Sequence, residues 1–344
     1  MPQYPPHHSL KSLAVSLDIS AGTVSRNLSG QSERCRISPA TRDRVLAHAR
    51  NSGLIVNQLA RSLRLRRTFT LGLVIPDISN PFFALLARQI ERHARTHGYS
   101  VLLADSQEDS AVEVDAITLM LSRHVDGLIL APVGTRGSGP RIQSLIRGPC
   151  VLVDRLLPGV KLPSVTSDHR QGAELAVNHL IDRGHRHIAC VQGSPGTFAN
   201  DQRLAGWRSA MKHAQLPCSA QGIFGGAYSI DAGYQAAQTL LRRSKRPTAI
   251  LALGNLLALG VLQALRQEGL AIPRDLSLVS FDDQPWAGVV DPPLTIIQQP
   301  IEELGSQVFA LLLKQITTRR NTPAQCVTLP VRIIERASVH DIAS

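Results

Sequence analysis

From Leu10 onward the apolar residues fall at helical spacing: Leu10, Leu13, Ala14 and Leu17 lie three and four apart, on one face. Ser9 stands where an N-cap belongs. Asp18-Ile19-Ser20 interrupts the pattern, and Ser20 caps a second predicted helix whose inward residues are Val24 and Leu28. Two short helices around a tight turn predict a helix-turn-helix. After Gly30 and a polar loop, Ser38-Pro39 reads as a cap followed by an N1 proline and opens a third helix to Gly53 that buries Val45, Leu46 and Ala49. The next segment, Val56 to Leu63 with Asn57 as its cap, is too short to be a stable helix alone in water. It precedes the basic run Arg64 to Arg67, so it is either a segment that folds on DNA or an ordinary interdomain linker.

Beyond residue 69 the pattern changes to short apolar runs alternating with amphipathic stretches. Leu71–Ile75 is followed by a helix over Pro81–Gly98, Val101–Ala104 by Val112–Arg123, and Gly127–Ala131 by Arg141–Arg147. Cys150–Val153 then precedes Gly172–Arg183, and the rhythm restarts at Ile188–Gln192, Ala249–Ala252 and Ser277–Phe281. This alternation predicts an α/β core of two doubly wound, parallel lobes. Ligands in such folds sit beyond the carboxyl ends of the strands. The residues placed there include Asp77 to Phe83, Asp154-Arg155, Arg203, Tyr228, Asn255, Asp282 and Gln299. Hydroxyl-rich sugars, with an apolar ring face, suit such a mixture of donors, acceptors and aromatics.

Charge adds a partner to this picture. The chain has 344 residues, 43% of them hydrophobic, and a net charge of +11. Eleven Lys or Arg in residues 1–68 stand against Asp18, Glu33 and Asp43, a balance of +8 that leaves +3 for the other 276 residues. A strongly basic head on a nearly neutral body is the footprint of a nucleic-acid-binding domain. No apolar run is long enough to span a bilayer and the first residues lack a signal core, so a soluble cytoplasmic protein without membrane partners is expected. Cys35, Cys150, Cys190, Cys218 and Cys326 are odd in number and scattered, and are read as reduced structural thiols.

The segments LAVSLDISAGTVSRNLSG, ISPATRDRV and NQLARSLR, in that order and spacing, resemble the DNA-binding head of LacI/GalR transcription regulators. The core segments LGLVIPDISNPFF, VDGLILAP, LIDRGHRHIACVQG, RLAGWRSAM, FDD and PPLTIIQQPIEELG resemble the periplasmic-binding-protein-like effector core of that family. The resemblance implies a helix-turn-helix domain over 1–55, a hinge helix and linker over 56–68, and an effector-binding and dimerisation core over 69–344. Within the core it implies lobe 1 at about 69–163 and 294–324, and lobe 2 at about 164–293 and 325–340. DNA contacts are expected from Ser20, Ala21, Gly22, Thr23, Ser25 and Arg26, and from Asn57, Ala60, Arg61, Leu63 and Arg64, with Leu63 as the minor-groove wedge. Effector contacts are expected from Asn80, Phe82, Phe83, Asp154, Arg155, Arg203, Tyr228, Asn255, Asp282 and Gln299.

Three departures stand out. Asp18 occupies the turn position where the family usually has glycine. The loop GQSERCRIS is longer than in the lactose repressor and resembles the fructose-repressor subgroup. Asn255 replaces an aspartate of many relatives, which favours a sugar acid over a neutral sugar.

Other chemistry finds little support. GTRGSG (134–139) is neither GxGxxG nor a Walker A sequence. His185-Arg186-His187 lacks further ligands at metal spacing, no GxSxG is present, and Asp282 and Asp283 point opposite ways at a strand end. Neither catalytic residue, metal nor cofactor is expected. The leading function is therefore a transcription regulator, a repressor. It would bind pseudo-palindromic double-stranded operator DNA as a homodimer or tetramer and answer to a small sugar or sugar-acid effector. The alternative is a sugar-binding protein or sugar-modifying enzyme without gene control.

Overall fold

The computed structural model describes residues 10–28, 32, 35–51, 67–134, 137–318 and 324–342. The chain divides into two compact units, residues 1–69 and 70–344.

In the first unit α1 (Leu10–Ser16), α2 (Ala21–Leu28) and α3 (Pro39–Asn51) enclose a small core of Leu13, Ala14, Leu17, Val24, Val45 and Ala49. Leu46 is only half-buried, whereas the sequence pattern placed it inside. Ser20 Oγ accepts the Thr23 N–H at 3.0 Å and Ser38 Oγ accepts the Thr41 N–H at 3.2 Å, so both predicted N-caps are formed. Asp18 has φ +52°, in the left-handed region. The turn keeps the conformation a glycine would take, because aspartate is among the residues that tolerate it. Buried Asn27 ties α2 to the loop beyond it, donating to the Thr23 carbonyl at 3.0 Å and accepting the Ser32 hydroxyl at 2.8 Å. The Ser9 cap, Gly53 and the whole segment 56–66 lie outside the described residues.

The second unit holds two six-stranded sheets among the described residues. The first contains β1 (Thr70–Ile75), β2 (Ser100–Asp105), β3 (Gly127–Leu130), β4 (Cys150–Val153), β5 (Ser164–Ser167) and β11 (Cys326–Leu329), in the order β11-β5-β4-β3-β1-β2, all parallel. The second contains β6 (Ile188–Val191), β7 (Ile223–Phe224), β8 (Ala249–Ala252), β9 (Ser277–Phe281), β10 (Thr295–Gln298) and β12 (Arg332–Ile334), in the order β12-β10-β9-β8-β6-β7. There only β12 runs antiparallel. The connecting helices are α4 (Pro81–Thr96), α5 (Ser110–Ser122), α6 (Gly139–Leu145) and α11 (Ile301–Thr318) on the first sheet. On the second are α7 (His169–Asp182), α8 (Phe198–His213), α9 (Ile230–Leu241) and α10 (Asn255–Gln267). Strands buried on both faces, such as β3, β4 and β8, are continuous apolar runs, as parallel sheets covered on both sides require.

The lobe boundaries differ from the expected ones. β5 pairs with β4 and β11, so residues 164–167 and 326–329 belong to lobe 1; β10 pairs with β9, so 295–298 belongs to lobe 2. The chain thus passes between lobes after β5, after β10 and after β11. Short strands carry no periodic signal of the sheet they join, because that is decided by non-local pairing.

Candidate functional site

The three crossings bring the carboxyl ends of both sheets face to face. Asn80 caps α4 after β1, Asp154 and Arg155 follow β4, Asn255 opens α10 after β8, Asp282 follows β9 and Gln299 follows β10. Arg203 projects from α8, and Tyr228 from the loop after β7. These residues, with Phe82 and Phe83, line one cavity, so all ten expected effector residues converge, joined by Ala199, Gly254 and Leu256.

Two polar networks organise it. Asn80 Oδ1 accepts the Phe82 N–H at 3.1 Å and Asn255 Nδ2 at 3.0 Å, linking lobe 1 to lobe 2. Asn255 Nδ2 also donates to Asp282 Oδ2 at 3.0 Å, and Gln299 Nε2 donates to Asp282 Oδ1 at 2.6 Å. On the other side Arg155 makes a bidentate pair with Glu108 at 2.8 and 2.6 Å. Its guanidinium lies 5.4 Å from the Phe83 ring centre and 5.6 Å from that of Tyr228. Arg203 donates to the Leu253 carbonyl at 2.6 Å and to His169 Nδ1 at 3.2 and 3.3 Å, and its Cζ stacks 4.1 Å from the Phe281 ring centre.

His169 therefore accepts at Nδ1, which leaves the proton on Nε2, 3.1 Å from the Asp154 carbonyl and 3.5 Å from its carboxylate. Burial and the Arg203 charge push its pKa well down, so the imidazole is neutral. Burial also raises the Asp154 carboxyl to about 6 against the opposing pull of Arg203 and Arg155, and lifts Tyr228 to about 12. Asp154 and Asp282 hold φ of +64° and +72° at corresponding strand ends, a conformation uncommon for residues other than glycine and often stored at functional sites. Gly193 lets the Tyr228 ring reach the cleft, since a Cβ there would lie 2.3 Å from it.

The side chains nearly meet, leaving about 20 Å³ between them, room for one water. A larger ligand enters only when the lobes part. Several buried polar atoms have no hydrogen-bond partner among the described residues: Asp154 Oδ1, Asn255 Oδ1, Gln299 Oε1, the Tyr228 hydroxyl and Arg155 Nε. Such atoms, clustered in one cleft, are what a hydrogen-bonding ligand completes.

Glu108 and His169 were not picked out in the sequence. Glu108 lies three residues beyond β2, where the strand-end rule reaches it. His169 follows β5, whose sequence SVTS does not read as an apolar strand. Asp283 turns away from Asp282, accepting from Arg336 Nη2 at 2.7 Å. Among the described residues no group of His, Cys, Asp or Glu is arranged to hold a metal, and no helix is long and apolar enough to cross a membrane.

In the head, Ala21, Gly22 and Arg26 are exposed, and Thr23 and Ser25 are half-buried. Among the described residues a Cβ on Gly22 would meet only Ser20 Oγ, at 3.6 Å, an ordinary contact that does not demand glycine there. Asn57, Ala60, Arg61, Leu63 and Arg64 lie outside the described residues.

A capped helix-turn-helix in a basic segment, followed in the same chain by a two-lobed core that closes on a polar cleft, defines a ligand-responsive DNA-binding protein. Comparison with known proteins agrees. Residues 177–339 match the periplasmic binding protein-like domain. Catabolite control protein A of Priestia megaterium is 34% identical over 323 residues, 93% of this chain and 96% of that protein. The ribose operon repressor of Escherichia coli K12 is 31% identical over 331 residues, 96% and 99%. The lac repressor dimer bound to operator and the anti-inducer ONPF has a similar fold, with a TM-score of 0.85 at 25% identity over 96% of this chain and 99% of that one. The chain belongs to the LacI/GalR family of transcription regulators.

Proposed function

We propose that this regulator is a repressor acting in the cytoplasm. It binds a pseudo-palindromic operator as a homodimer or tetramer, and its effector is a neutral, hydroxyl-rich sugar of about pentose size. The observation that carries the effector class is the balance of the unpartnered atoms, three acceptors beside two donors, the Tyr228 hydroxyl and Arg155 Nε, which hydroxyl groups can satisfy in both directions. Asp154 Oδ1, Asn255 Oδ1 and Gln299 Oε1 are acceptors, and the amide orientations are fixed because each NH₂ already donates to a neighbouring oxygen. Acceptors call for hydroxyl donors, which a sugar supplies. A carboxylate would face these oxygens with more acceptors. The sugar acid suggested by Asn255 is therefore the weaker choice, since the Asn255 amide is spent on Asn80 and Asp282 and its carbonyl faces the ligand. The ribose operon repressor among the relatives puts ribose first to be tried. The head loop, which resembles that of the fructose-repressor subgroup, carries no weight in choosing the effector.

Effector and operator occupy separate sites, and each biases the same opening and closing of the lobes, so their coupling is reciprocal. In the head, Ser20, Thr23 and Ser25 suit phosphates, Arg26 reads a guanine edge, and Ala21 and Gly22 admit close approach of the helix backbone. Leu63, flanked by Arg61 and Arg64 and near Asn57 and Ala60, kinks the central step. A gel shift with DNA from upstream of the protein's own gene tests the whole reading. Retardation should weaken steeply with salt, with a logarithmic slope of about −0.9 per phosphate contact, and respond to ribose. No retardation at low salt would sink the operator proposal. A thermal-shift panel of sugars, sugar acids and sugar phosphates in which only the acids raise Tm would sink the effector class.

A further inference from the structure

The fold divides the His185-Arg186-His187 run. His185 is buried, with Nδ1 2.9 Å from Thr248 Oγ1 and Nε2 3.1 Å from the His340 carbonyl. His187 is exposed, its Nδ1 3.0 Å from the Arg246 carbonyl, and it lines a cavity of about 490 Å³ where β6 and β8 begin. That is the end of the lobe 2 sheet opposite the effector cleft.

Arg243 forms one wall. Its guanidinium lies 4.8 Å from the Phe224 ring centre, and Nη1 donates to the Gln221 carbonyl at 2.8 Å. The stacking and this one bond fix the plane of the group and leave its other N–H groups unspent among the described residues. Lys245 also lines the cavity and makes no ion pair among the described residues, and the hydroxyls of Ser219 and Ser244 have no protein partner there. No carboxylate lines the cavity, and exposed Arg186, Arg242 and Arg246 are close along the chain. Cations gathered in a concavity without a counter-charge repel one another, and burial of the chain's own groups does not offset that repulsion.

We propose that this cavity is a second ligand site, for a small phosphorylated molecule, independent of the effector cleft. An arginine held flat, a lysine and two hydroxyls match the oxygens of a phosphoryl group. The volume lies within the roughly 300–1,000 Å³ of small-molecule sites, so it holds more than a phosphate ion.

Titration calorimetry of the full chain with ribose 5-phosphate, inorganic phosphate and ribose tests this on wild type, D282N and R243Q/K245Q. Ribose 5-phosphate should bind wild type and D282N alike, and the double variant should lose at least about tenfold in its affinity while keeping that for ribose. Both replaced residues are exposed, and an unchanged Tm will show that the double variant is folded; K245Q alone should give a smaller loss. D282N disturbs the bonds from Asn255 and Gln299, so its binding is read at a temperature where its cooperative thermal unfolding shows it folded. The proposal is overturned if ribose 5-phosphate does not saturate wild type, if the double variant binds it equally well, or if D282N abolishes its binding. Inorganic phosphate binding as tightly as the ester would overturn the metabolite class. Failure of ribose alone would remove the sugar reading of the cleft and leave this site standing.

Discussion

The recognition helix and the effector cleft bind by opposite designs. In α2 the residues aimed outward are small or exposed, and the inner side of the helix, Val24 and Asn27, is complete without them. In the cleft nearly every functional side chain is buried and already bonded to another: Asp282 to Asn255 and Gln299, Arg155 to Glu108, Arg203 to His169. Changes at the outward positions of the head should therefore register chiefly in DNA binding. In the cleft they should register in stability as well as ligand response, because the groups that meet the effector also hold each other.

Asp282→Ala should have the largest effect. It strands two buried amide donors, costing the core roughly 2–4 kcal/mol in thermal or urea unfolding, and removes the sugar-induced rise in Tm. A variant of unchanged stability would break the contrast.

Glu113 comes next. It is fully buried, accepts the Val133 N–H at 2.7 Å, and is raised to about 7 by burial, with Arg155 and Glu108 close enough to act on it. Between about 4.5, its ordinary value, and about 7, the folded chain keeps a proton that the unfolded chain has released, so rising pH favours unfolding. Glu113→Gln keeps the acceptor without the charge. Its stability advantage over wild type in urea unfolding should be absent below about pH 4.5, grow between 4.5 and about 7, and level off above that at roughly 3 kcal/mol at most. A constant difference across that range would count against a buried charge.

Arg26→Ala sharpens the other side of the comparison. It should weaken preferred over random DNA by roughly 1–3 kcal/mol in a binding-site selection. Smallest is Gly22→Ala, which should stabilise α2 by up to about 1 kcal/mol and still weaken operator binding. Tighter operator binding would show that close backbone approach plays no part.

How far the sequence reached differs between the two regions. In the head, amphipathic spacing and cap residues foretold α1, α2 and α3, because helices are local and their signals lie within a few residues. In the core the strand-helix rhythm led to β1, β2, β3, β4, β6, β8 and β9, and the resemblance to known regulators supplied ten residues that meet in one cavity. The polar strand β5, the four-residue strand β11, the sheet that β10 joins, and the roles of Glu108 and His169 were not legible. Each depends on a partner far along the chain.

The sequence by itself determined the basic head, the α/β rhythm and the residue types of the cleft, since composition and periodicity are properties of the chain. Only the tertiary structure decided which lobe each short strand joins and which acceptors in the cleft stay unpartnered. It also placed His187, Arg243 and Lys245 around one cavity. Pairing between segments distant along the chain is selected by packing and hydrogen-bond closure in three dimensions, and leaves no mark on local pattern.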